Sequence, residues 1–241
     1  MMATVVFSFL TVSDVRKPEI AEAFFQAIYQ DLDGASLGKY GATEPMTSTF
    51  ANDIEGACQL WSRHVFWSDR RGKGSGAVLH GSPFVHTNIS FYFDTPDTDS
   101  LKCVRFLKFA SDLLAVDFAC VHCFEKRSVT EEDEILEGVT TWDLEKAIPN
   151  LPWAGCLGKP YIDLFGRQRL ESAELENSEF ISDRLYFFQL TRSPLDYIEN
   201  YGSFKSRQDA AKHTLGSEFF MGSPNPVAPE FDLAAPPTHD A

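Results

Sequence analysis

Residues 4–12 alternate, with Val6, Leu10 and Val12 on one side and Val5, Phe7 and Phe9 on the other. Two largely apolar sides predict a central strand covered on both faces. The spacing then changes. Ile20, Phe24 and Ile28 recur at every fourth position, the stripe of an amphipathic helix over about 18–32. Pro18 suits its first turn, Glu19 and Glu22 favour its positive end, and Gly34 follows its last turn. Gly38, Gly41 and Pro45 mark turns, and a short helix is predicted from about 52 to 64. Val65-Phe66-Trp67 and Ala77-Val78-Leu79 flank Gly72-Lys73-Gly74-Ser75-Gly76, which predicts two strands joined by a glycine loop. The clearest strand covers 85–93: Val85, Thr87, Ile89, Phe91 and Phe93 face one way, and His86, Asn88, Ser90 and Tyr92 the other.

A second helix is predicted over about 98–115, capped by Asp97 or Asp99, with Val104, Leu107 and Leu114 as its stripe and Cys103 and Ala110 beside it. A strand follows at 117–125, then an acidic stretch at 131–137 and a short helix at about 142–148 that ends before Pro149. Residues 151–171 read as two short strands around Gly158 and Gly166, 184–191 as a strong strand, and 194–213 as a helix with Pro194 in its first turn. Helices and strand pairs do not alternate as strict βαβ units. The fold class expected is therefore α+β, a single domain over 1–220 with a mixed or antiparallel sheet packed by helices. Residues 221–241 hold five of the 13 prolines and no Lys or Arg, and read as a disordered tail.

Composition narrows the function. Of 241 residues, 44% are apolar, enough for a core, which excludes disorder, collagen and coiled coil for the whole chain. The net charge is −14 and the pI about 4.8. Such a surface repels phosphate backbones, so no direct nucleic-acid binding is expected, and the charge favours a basic partner or serves solubility alone. No basic residue precedes the first apolar run and no stretch nears the roughly 18 apolar residues of a span, so neither a secretory signal nor membrane insertion is expected. Cys58, Cys103, Cys120, Cys123 and Cys156 are odd in number and read as reduced thiols of a cytoplasmic protein.

Four groups of residues raise chemistry. Cys120-Val121-His122-Cys123 has a metal-like spacing, but on a strand its two thiols point to opposite faces, and no second ligand pair accompanies it. No metal or cofactor is expected. His80, His86 and His122 lie near carboxylates, and His86 and His122 sit on separate strands that could meet across a sheet. Without a nucleophile elbow or a metalloprotease motif no catalytic residue is assigned. The glycine loop beside Arg70 and Arg71 lacks phosphate-loop spacing. Finally, Glu131, Glu132, Asp133, Glu134 and Glu137 form one acidic cluster, and Glu171, Glu174, Glu176 and Glu179 a second. Each is a solvated face or a surface for a basic protein, for which Trp142 and Trp153 would be anchors.

The stretch from Asn150 to Gly166, with Pro152-Trp153-Ala154-Gly155 and Gly158-Lys159-Pro160-Tyr161 at its centre, resembles a block of bacterial polymorphic-toxin immunity proteins, in particular immunity protein family fifty-two. Tyr40-Gly41 with Glu44-Pro45, the Trp61 to Trp67 segment and Gln189-Leu190-Thr191 occur in the matching order, and the likeness runs diffusely over 4–220. The resemblance implies a protein that is not an enzyme and that binds and silences a cognate toxin, as antidotes to contact-dependent or type VI secreted effectors do. The toxin it implies is a nuclease with a restriction-endonuclease-like domain, blocked by stoichiometric occlusion. An acidic inhibitor suits such a target. Glu131, Glu132, Asp133, Glu134, Glu137, Trp142 and Trp153 are the candidate contacts. Two alternatives stand beside it: a small-molecule enzyme or binding protein using His86 and His122, and an intracellular scaffold with another partner.

Overall fold

A computed structural model of the chain describes residues 2–69, 72–81, 86–96, 98–125, 136 and 138–231. Its strands are β1 (Ala3–Thr11), β2 (Lys39–Gly41), β3 (Ser48–Thr49), β4 (His64–Ser68), β5 (Gly74–Leu79), β6 (Thr87–Thr95), β7 (Phe118–Glu125), β8 (Ala154–Gly158), β9 (Asn177–Ser182) and β10 (Leu185–Gln189). They form one sheet in the order β3-β2-β4-β5-β6-β1-β7-β8-β10-β9, antiparallel at every pairing. The helices are α1 (Pro18–Asp31), α2 (Ile54–Trp61), α3 (Ser100–Leu113), α4 (Thr141–Leu144), α5 (Lys159–Phe165), α6 (Arg167–Ser172), α7 (Asp196–Glu199) and α8 (Tyr201–Leu215). The architecture is α+β.

The two apolar sides of β1 explain its central place. Phe7 and Phe9 face α1 and α3: Phe7 stacks on Phe91 of β6 at 4.9 Å and meets Phe106 of α3 edge-on at 5.2 Å, while Phe9 meets Phe24 of α1 at 5.9 Å. Trp61 of α2 joins the same layer through Phe24 and Phe25. Aromatic pairs in edge-to-face geometry add to plain burial. The other side of β1 continues into β7, where Phe118 and His122 meet a second helical layer. Tyr161 of α5 packs on Phe118, and Tyr197 of α7 and Phe204 of α8 pack on His122. The sheet is thus covered along its length on one face by α1–α3, and on the other face over β7, β8 and β10 by α5–α8.

Several expectations change. Residues 151–171 give one strand and two helices, because Pro160 sits in the first turn of α5 and Gly166, at φ 75°, ends it before α6 begins. The long helix expected over 194–213 is broken at Asn200 into α7 and α8. β2 and β3 lie in the stretch read as turns, and β9 falls within the second acidic cluster, where its edge position allows an exposed, polar sequence. Gly74 and Gly76 belong to β5 and not to a loop. The tail expected from residue 221 is docked as far as Phe231. The Met221 N–H donates to Ile148 O, the Val227 N–H donates to Glu218 O, and Phe231 packs edge-on against His86 at 4.5 Å. Residues 232–241 lie outside the described residues.

Candidate partner-binding face

The helices of the second layer stop short. On that face the β2, β4, β5 and β6 half of the sheet presents Gly41, His64, Phe66, Ser75, Ala77, Leu79, Ser90 and Tyr92 with no covering helix among the described residues. Register fixes this set: Leu79 stands opposite Asn88 and His64, Ala77 opposite Ser90 and Phe66, and Ser75 opposite Tyr92. Leu79 is 46% exposed and Tyr92 41%. The loop after β2 forms one wall. With the sheet it encloses a string of shallow cavities of about 200, 490 and 580 Å³, and Glu44 lines all three. The smallest is floored by Val6, Phe66, Ala77 and Tyr92 beside Met46. The largest of the three is bounded by Phe66, Leu79, His64 and Ala42. Glu44 is exposed and has no ion-pair partner among the described residues. Leu79 and Tyr92 are exposed large apolar side chains on one open sheet face, which makes that face a candidate contact surface.

The far end of this face leads to Trp142. Asn88, across from Leu79, donates its amide to Val139 O at 3.1 Å. Three residues on, Trp142 stands on α4 and is 69% exposed. Asp143 fixes the start of α4 by accepting the Thr140 N–H at 2.8 Å and the Thr140 hydroxyl at 2.6 Å. Trp142 therefore remains open to a partner. Trp153 does not. It is fully buried, donates its indole N–H to Thr191 O at 2.8 Å and its backbone N–H to His122 Nδ1 at 3.0 Å. It is a core residue, and the expectation that it anchors a partner is withdrawn. Glu131, Glu132, Asp133, Glu134 and Glu137 lie outside the described residues.

The second acidic cluster is largely neutralised within the chain. Arg167 pairs with Glu171 at 2.9 Å, Arg207 with Glu176 at 3.1 Å, and Lys108 with Glu179. A cavity of about 670 Å³ between the ends of α1, α3 and β6 is lined by Asp31, Asp33, Asp69, Asp94 and Asp99. These carboxylates also have tasks: Asp31 pairs with Arg105 and Asp33 with Lys102, Asp69 accepts the Lys73 N–H, Asp94 accepts the Thr4 hydroxyl and Asp99 caps α3.

The histidines do not converge. His122 stands opposite Val6, which stands opposite Tyr92, whereas His86 precedes β6 at the other end. Six positions along a strand put them about 20 Å apart. His86 is buried. Its backbone N–H donates to Thr141 Oγ1 at 3.1 Å, and its Nδ1 lies 3.1 Å from the same hydroxyl. Since that oxygen accepts one hydrogen bond, it can donate to Nδ1, which leaves Nε2 protonated and facing Asp117 Oδ2 at 3.5 Å. Nε2 makes no hydrogen bond, so the three groups do not form a relay; Phe231 packs on the imidazole and the four cavities above do not reach it. Beside it the Tyr161 hydroxyl is pushed well above its usual range by burial and by Asp117. Cys120 and Cys123 stand opposite Ser8 and Val5, on opposite faces of β7, and burial pushes both thiols up to about 12. Buried, protonated thiols are poor nucleophiles.

No family model and no curated protein matches the chain. Among solved structures, a Pseudomonas aeruginosa protein described as T6SS protein PA0821 is similar, with a TM-score of 0.50 and 9% identity over 89% of this chain and 83% of that one. The two share a fold. No pattern in the sequence marks the open half-sheet, although the alternation along 85–93 puts Tyr92 on the correct side of its strand. No described helix is long and apolar enough to cross a membrane.

Proposed function

We infer that the chain is an immunity protein of a type VI secretion system, one that binds a cognate toxin and silences it without turnover of its own. The toxin it fits is a basic nuclease with a restriction-endonuclease-like domain, held in a stoichiometric complex that blocks its cleft. What carries this reading is a net charge of −14 on a fold similar to that of a T6SS protein. DNA-cleaving domains are cationic where they meet phosphate, so a strongly anionic protein competes for that surface. The immunity-family resemblance supports the same role. Trp142 is the exposed aromatic anchor, and Trp142→Ala weakens the complex by about 2 kcal/mol or more, read as a Kd ratio by calorimetry.

The test is co-expression with a basic nuclease domain of a type VI effector, chosen from the genes that neighbour this one. Cells survive and DNA cleavage stops if the reading holds. Full toxicity despite soluble expression of both proteins would refute it. So would turnover of a small molecule by the purified chain that disappears in His86→Ala.

A further inference from the structure

We propose that the uncovered face of β4, β5 and β6 is the docking surface for an amphipathic, basic helix of a protein partner, whose apolar stripe packs on Phe66, Ala77, Leu79 and Tyr92 and whose Lys or Arg side chain pairs with Glu44. This deepens the proposed function by naming an interface, and rests on that reading only where the partner is a toxin.

The argument begins with what a sheet face can offer. The strands under it are paired on both edges, β5 between β4 and β6, and β6 between β5 and β1, so their backbone groups are consumed by the ladder. An extended peptide that adds a strand needs a free edge and finds none here. Recognition must go through side chains, as when a helix lays an apolar stripe on a surface. The same sheet already binds helices in this way: α5, α7 and α8 cover its other half on this face, with Tyr161 on Phe118 and Tyr197 and Phe204 on His122. An incoming helix would continue that layer. The six residues of β5 give a floor about 20 Å long, the length of a helix of about 13 residues.

Charge decides the partner's polarity. Glu44 borders all three cavities along the floor, is exposed, and has no ion pair among the described residues. Among the described residues Lys39 is the one Lys or Arg lining these cavities, and it lines the one beside Pro45 and Ser68. The chain as a whole carries −14. A helix with acidic flanks would be repelled by both, and one with basic flanks is drawn in and oriented by Glu44.

Two synthetic peptides of about 14 residues test this on the full-length chain: one with a Leu/Phe stripe flanked by Lys and Arg, the other with the same stripe flanked by Glu. Backbone amide spectra are recorded during titration. The basic peptide should shift the amides of Phe66, Ser75, Ala77, Leu79 and Tyr92 and bind about tenfold or more tightly than the acidic one. Glu44→Lys should reverse that preference, and Leu79→Asp, a change at an exposed site, should abolish both. Should Leu79→Asp misfold by circular dichroism, Tyr92→Glu takes its place. Shifts confined to the cavity of Asp31 and Asp99, shifts nowhere, or equal binding of both peptides would overturn the proposal. So would a dimer, seen by light scattering, that Leu79→Asp splits, because the occupant is then a second copy. In co-expression, retained neutralisation by Leu79→Asp rejects this face as the toxin interface while leaving the proposed function standing. Failure of the native chain to neutralise rejects that function, and the peptide titration still decides the face.

Discussion

Single residues hold this sheet in a shape that leaves little room for change. A Cβ at Gly76 would lie 2.3 Å from two ring carbons of Trp67 and 2.5 Å from the Phe91 Cβ, so the glycine is set by close approach within the sheet. Trp67 cannot easily retreat, since its indole N–H donates to Ser36 Oγ at 3.0 Å and its ring packs on Phe25. Gly76→Ala should cost about 1–3 kcal/mol by overpacking, read from urea unfolding. An unchanged midpoint would mean that the β4–β5 pair is looser than its packing implies. His80 brings a pH dependence. Its Nε2 lies 2.6 Å from Trp61 O and must donate, so Nδ1 accepts from the Thr87 hydroxyl at 3.0 Å. Burial lowers the pKa of this imidazole from 6.5, helped by Arg16 and opposed by the Trp61 carbonyl and Asp14. The unfolded chain then binds the proton first. The contribution of His80 is present in full above pH 6.5 and is lost as pH falls below it. His80→Gln should therefore flatten part of the loss of stability between about pH 7.5 and 5.5, and parallel slopes for the two proteins would assign that loss elsewhere.

Among the elements, α3 shows how a helix can be legible in sequence alone. Asp99 Oδ1 accepts the N–H groups of Leu101 and Lys102 at 3.0 and 3.1 Å, as a capping residue should, and Asp99→Ala should destabilise the fold by about 1 kcal/mol. Calorimetric melting checks it, and a variant with an unaltered Tm would show the cap to be redundant. α1 and β6 are equally readable, because each carries a period of 3.6 or 2 that survives in its burial, whereas β1 and β7 are apolar on both sides and buried almost throughout, as central strands are. Local pattern misleads where long-range context decides. In 151–171 the alternation around Gly158 suggests a second strand, but the helix-starting Pro160 and the i, i+4 pair Tyr161 and Phe165 win, because the second layer buries that pair. β9 is hidden among glutamates since an edge strand needs only one partner and tolerates charge, here tied down by Lys108. The candidate surface is half legible. The pattern places Tyr92 on the side away from Phe91, but whether helices cover that side is a property of the whole sheet, and no local period records it. Trp153 and Trp142 show the same limit. Both look like anchors in sequence, and only the packing separates the buried one from the exposed one.

At the scale of the molecule, charge acts over distances that packing does not reach. The second acidic cluster is screened by its own arginines and Lys108, so the field that a partner meets owes less to it than the sequence suggests. The 131–137 cluster places five carboxylates in seven residues, and its chain leads through Gly138 and Val139 to the exposed Trp142. Such a cluster would act mainly on encounter, since charges at a rim raise the association rate more than they deepen the final complex. Reversing Glu131, Glu132 and Glu134 together to Lys should slow association with a basic nuclease domain by about tenfold at low salt while changing the dissociation rate little. The difference should shrink as ionic strength rises, because the Debye length falls from about 30 Å at 0.01 M to about 3 Å at 1 M. Leu79→Asp, by contrast, should speed dissociation at every salt concentration, as loss of a packed contact does. Stopped-flow association and dissociation rates across a salt series separate the two effects. If the triple reversal leaves the low-salt association rate untouched, the field that guides the partner arises elsewhere on the surface, and steering by the 131–137 segment is wrong.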